Sequence, residues 1–143
     1  GLQELTFSRI AITPKRSDSY LMIMWHLSIE IQNHDTTMRL FKNGSVITTS
    51  GREGYNNNVG QTNYSGYRIA NYDADDGSTP HTLTTMYHTP SENTSARHYS
   101  MAFRTADNSS NKNVYINRTV GSNGQDSHEN GVSTAVIYEF KIT

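Results

Sequence analysis

The chain reads as all-β, an antiparallel β-sandwich of the jelly-roll kind with about eight strands. Three observations predict it. Apolar residues recur with a period of two, above all between Ser19 and Asn33, where Leu21, Ile23, Trp25, Leu27, Ile29 and Ile31 hold every second position. Side chains of a strand alternate between its faces, so one face of this stretch carries the only Trp and a row of branched aliphatics. No window sustains a helical period. The periodic segments are short and bounded by turn chemistry, including Asn43-Gly44 between apolar runs, the strongest short hairpin signal. With 143 residues, 34% hydrophobic and a mean hydropathy of -0.69, the composition supports a single domain over residues 1–143 with one thin core.

In chain order, Leu5 to Ile12 predicts a first strand, stopped by Thr13-Pro14 and the polar residues to Asp18. The long strand from Tyr20 follows. After the polar turn Asn33 to Thr36, Thr37 to Lys42 leads into the Asn43-Gly44 hairpin, with Val46 to Thr48 returning. Ser50 to Ser65 is rich in Gly and Asn and reads as a long surface loop. Further strands are predicted at Tyr67 to Tyr72, His81 to His88, His98 to Thr105 and Asn113 to Arg118. A polar loop from Gly121 to Gly131 precedes a closing strand from Ser133 to Thr143.

Charge and composition exclude several classes. A formal net charge of -1 without any Lys/Arg run disfavours nucleic acid and anionic membranes as partners. No apolar run is long enough to span a bilayer and no signal peptide opens the chain, so it is expected to be soluble, without membrane insertion. Cysteine is absent, which removes disulfides and thiolate metal sites. Gly1-Leu2 stands at the start in place of Met, so the chain is expected to be the C-terminal part of a longer product.

The stretch Tyr20 to Ile31, followed by Met38-Arg-Leu-Phe-Lys-Asn-Gly-Ser-Val46, resembles the long central strand and Lys-Asn-Gly hairpin of complement- and tumour necrosis factor-like jelly rolls. The second half resembles the distal domains of bacteriophage fibres, cyanophage fibres especially. Its marks are the Thr-rich strand and Pro turn of Thr82 to Asn93, the Tyr-containing strand Ala96 to Arg104, Val114-Tyr-Ile-Asn-Arg118, and the closing Ser-Thr-Ala-Val-Ile-Tyr-Glu-Phe. The resemblance implies a homotrimer in which one sheet of each sandwich faces the three-fold axis, with the central and closing strands in that sheet. It further implies a place on the virion surface, beside other virion proteins. The expected function is a trimeric fibre head that binds a host-surface receptor, with a glycan among the candidates. A capsid decoration (cement) trimer is the alternative.

Met22, Met24 and His26 fall on the second face of the long strand, away from Trp25. Methionine adapts to irregular contacts, and an exposed apolar strip favours assembly, so these residues are the expected trimer interface. Ile137, out of phase with Val136, Tyr138, Phe140 and Ile142, is expected to join them. Tyr55, Asn56, Asn57, Asn58, Tyr64 and Tyr67 combine stacking faces with donors and acceptors, the mixture that grips sugars or forms adaptable protein contacts, and are the ligand-loop candidates. Asp73, Asp75 and Asp76 cluster beside Gly77 but miss the EF-hand register, so a solvated turn is favoured over a Ca²⁺ site and no metal or cofactor is expected. The six histidines lack tight ligand spacing. The alternative of another class is a glycan-degrading tailspike enzyme, but no hydrolase or phosphate-loop motif occurs, and Asp73, Asp75, Asp76 and Glu139 do not form a glycosidase-like carboxylate pair, so an enzyme is not expected. Several Asn-x-Ser/Thr matches, such as Asn93-Thr-Ser95, carry no weight in so Asn- and Ser-rich a chain.

Overall fold

The computed structural model describes residues 3–31, 36–47, 66–69, 80–105, 113–119 and 130–142. Nine strands run through them: β1 (Gln3–Ile12), β2 (Tyr20–Ile31), β3 (Thr36–Lys42), β4 (Ser45–Val46), β5 (Gly66–Ile69), β6 (His81–Pro90), β7 (Arg97–Thr105), β8 (Val114–Ile116) and β9 (Thr134–Phe140). Among the described residues there is no helix. The strands form two antiparallel sheets. In the first, the order is β1-β7-β3, with β4 and β5 sharing the far edge of β3. In the second, β6 pairs with one edge of β2, while β8 and β9 share the other.

The period of two in β2 fixes the interior. Leu21, Ile23, Trp25, Leu27 and Ile29 are buried, and they meet Met38, Leu40, Tyr99, Met101 and Phe103 of the first sheet. Leu5, Ile10, Ile12 and Ile137 pack around this cluster. Tyr87 and Tyr99, one from each sheet, tilt against each other with ring centroids 6.1 Å apart.

β1 does not keep one register. Leu5 is odd-numbered and Ile10 and Ile12 are even-numbered, yet all three pack on the core, because the ladder with β7 shifts between Leu5 and Ile10. The bulge carries Phe7 outward, 59% exposed. It also turns Ser8 inward, where the Ser8 hydroxyl donates to the Leu5 carbonyl (2.7 Å) and accepts from the Met101 amide (2.8 Å). The Ser8 carbonyl accepts the indole N–H of Trp25 at 3.0 Å. A fully buried indole needs an acceptor, and the irregular strand supplies it.

At the hairpin, Asn43 (φ 52°) and Gly44 (φ 78°) are both left-handed, as a two-residue turn between twisted strands requires. The return strand is only two residues, Ser45–Val46, shorter than the expected Val46 to Thr48. The closing strand also ends earlier than expected, at Phe140. Beyond β6, the buried Arg97 guanidinium donates to the carbonyls of Ser91, Asn93 and Ser95 and so holds the 91–96 turn.

Candidate functional site

The ladders around β2 set the outward rows of the second sheet. Residues directly opposite one another in a ladder share a face. Read across β6, β2 and β9, the outer rows are Pro90–Tyr20–Phe140, His88–Met22–Tyr138, Met86–Met24–Val136 and Thr84–His26–Thr134. Met22 and Met24 are half-buried and His26 is exposed, as the alternation in β2 requires. Met86 is 52% exposed and Tyr138 51%, so the outer face is an apolar strip open to solvent.

At one end of the strip three rings gather. Tyr20 stacks on His88 with centroids 5.1 Å apart and planes 6° apart, and Phe140 lies 6.2 Å from Tyr20 and 5.8 Å from His88. Stacked rings of this kind contribute beyond the area they bury. At the other end, His26 Nδ1 and Thr84 Oγ1 are 3.1 Å apart.

Ile137 does not belong to this strip. It stands opposite Ile23 and packs on the core, whereas Val136, Tyr138 and Phe140 take the outward positions. Both rows of β9 are apolar, so its phase is not set by hydrophobicity. It is set by the ladder with β2 and by Glu139, which shares the inward row and reaches the β1–β2 turn. The Glu139 carboxylate accepts the Lys15 amide (3.0 and 2.9 Å), the Arg16 amide (3.0 Å) and the Ser19 hydroxyl (2.6 Å). These donors, the Lys15 amide first, hold its carboxyl below the usual carboxylate range. Glu139 is thus a clasp for the turn.

Charged groups lie beyond the ends of the strip. Asp18 forms ion pairs with Arg16 (2.7 Å) and Lys141 (3.8 Å) outside the ring cluster. Past His26, β8 replaces β9, and Glu30 faces Tyr115 with the Arg118 guanidinium 4.9 Å over the Tyr115 ring. The junction of β8 and β9 is sealed at Ser28. The Ser28 amide donates to Ser133 Oγ (3.0 Å), the Ser28 carbonyl accepts from Asn117 (2.8 Å), and Ser133 Oγ donates to Asn117 Oδ1 (2.6 Å). Gly131 fits there because a Cβ would lie 2.0 Å from Ser28 Oγ.

Tyr67 lies in β5, opposite Met38 in the ladder, and not in a loop. The other ligand-loop candidates, Tyr55, Asn56, Asn57, Asn58 and Tyr64, lie outside the described residues, as do Asp73, Asp75 and Asp76. Among the described residues no three His, Asp or Glu side chains converge to hold a metal ion, and no helix is long and apolar enough to cross a membrane. Sequence reasoning missed Met86, His88, Val136, Tyr138 and Phe140. For Met86 a signal was present, since it is the apolar residue in the even-numbered row Thr82, Thr84, Met86, His88.

No family model, no curated protein and no solved structure matches this chain.

Proposed function

We propose that the chain is a structural and binding module that assembles in threes through the outer face of its second sheet, as the head of a viral fibre contacting a host-surface receptor. The observation that carries the assembly is the strip itself. Met22, Met24, Met86, Val136, Tyr138 and Phe140 stand on a face whose four rows contain no Asp, Glu, Lys or Arg. A charge-free face is complementary to itself, because self-association brings no like charges together.

Three strands about 4.8 Å apart and seven residues at about 3.3 Å give a strip on the order of 300 Å² in plan. A standard interface takes roughly 800 Å² per partner. Face-to-face pairing of two chains therefore buries too little, whereas in a ring of three each chain meets two neighbours. A contact between two different patches closes into a ring when its rotation permits, which is the geometry a trimer uses. The strand order β1-β7-β3-β5 against β6-β2-β9 supports the jelly-roll reading, since the chain passes repeatedly between the sheets and its closing strand joins the long central one. The viral setting follows from the sequence resemblance.

Sedimentation equilibrium tests the assembly. A mass of three chains is expected at micromolar concentration, and a single-chain mass at tens of micromolar overturns the proposal. Imaging of labelled protein on virions tests the position: label at fibre tips is expected, and label spread over the capsid shell overturns the fibre assignment.

A further inference from the structure

The strip is free of permanent charge, but it is not free of groups that acquire one. We infer that His26 and His88 make assembly through this face pH-dependent, holding the copies together near neutral pH and releasing them in acid. The inference rests on the self-association reading above.

The surroundings of each ring carry it. His88, on β6, faces Tyr20 of β2 at 5.1 Å and Phe140 of β9 at 5.8 Å, with Met22 and Tyr138 completing its row. His26, on β2, lies between Thr84 of β6 and Thr134 of β9, and its ring is held by the Thr84 hydroxyl. Across the four rows the titratable groups are Tyr20, His26, His88 and Tyr138. Of these side-chain types, imidazole is the one whose ordinary charge change falls between about pH 5 and 8.

Among the described residues the neighbouring carboxylates are already engaged. Asp18 is paired with Arg16 and Lys141. Glu139 lies on the opposite face of β9 and is occupied by Lys15, Arg16 and Ser19. Glu30 is buried two rows beyond His26 on this face, across from Tyr115. None stands in a row with either histidine. A proton on His26 or His88 therefore adds a positive charge with no counter-charge in its row. Three copies bring six such charges against apolar surface, which costs both desolvation and mutual repulsion.

Sedimentation velocity of the wild-type chain at 0.15 M salt, from pH 8 to pH 5, reads the effect. The dissociation constant is expected to rise at least about tenfold across the range, and the slope of its logarithm against pH counts the protons taken up on dissociation. A slope of zero with assembly intact overturns the inference and leaves self-association standing. A single chain at pH 8 fails the self-association reading instead. The variant with His26→Gln and His88→Gln is expected to lose the pH dependence whatever its affinity at pH 8, and a wild-type slope in that variant overturns the assignment to these histidines. Far-UV circular dichroism at each pH distinguishes release from unfolding, and loss of the strand signal at pH 5 overturns the inference.

Discussion

The two sheets present opposite kinds of outer face. On the first sheet, Ser100 and Ala102 are fully buried although they point away from the core, and Glu4 accepts from both Arg9 and Ser100 across β1 and β7. The Arg9 bond, the Ser100 bond and the Arg9 charge hold the Glu4 carboxyl down to about 2. Around Glu4 that face is tied together by polar side chains. On the second sheet the outer rows carry Met, Val and aromatic groups beside Pro, Thr and His, with no carboxylate among them. One surface pairs Glu4 with Arg9 and Ser100 within the chain, and the other leaves a row of apolar groups exposed, which water penalises.

The largest effect should come from charging the exposed strip. Met22→Lys combined with Met24→Lys is expected to reduce the assembly to single chains or insoluble protein, read by light scattering after size exclusion. An assembly unchanged by both lysines would end the contrast drawn between the faces. Phe7→Asp asks whether this exposed ring on the edge strand of the first sheet takes part in assembly. Because Phe7 is 59% exposed, its loss should leave the melting temperature nearly unchanged while weakening assembly about tenfold or more.

Next in size is Gly131→Ala, which forces a Cβ to within 2.5 Å of Ser28 Cβ at the seam between β8 and β9. A destabilisation of about 2 kcal/mol in urea melts is expected, typical of overpacking at a closed site. The smallest effect lies on the first sheet. Glu4→Gln should cost on the order of 1 kcal/mol at pH 7, discounted for the exposed side of Arg9, and leave the assembled mass alone. Since the Glu4 carboxyl is lowered in the folded chain from 4.5 to about 2, its contribution is complete above about pH 4.5 and fades as pH falls towards 2. The difference between Glu4→Gln and wild type should shrink over that window, and a constant difference would contradict the ion pair.

Much of this was legible in the residues. The alternation in Tyr20 to Ile31 assigned Trp25 to the core and Met22, Met24 and His26 to the other face, because a strand side chain has only two directions to take. Asn43-Gly44 announced its hairpin for an equally local reason, the need for two left-handed residues. β9 was ambiguous since Ala135 and Ile137 compete with Val136, Tyr138 and Phe140, and both rows are apolar. Only the pairing Ile23 with Ile137, together with the Glu139 clasp, turned the bulkier row outward.

The sequence by itself therefore determined the fold class, the core strand and the β2 residues of the exposed strip, all of them consequences of period and turn chemistry within a few residues. The tertiary structure decided the rest. Register between strands brings Met86 beside Met24 and Phe140 beside Tyr20 across more than sixty positions of sequence, and no local pattern encodes that distance.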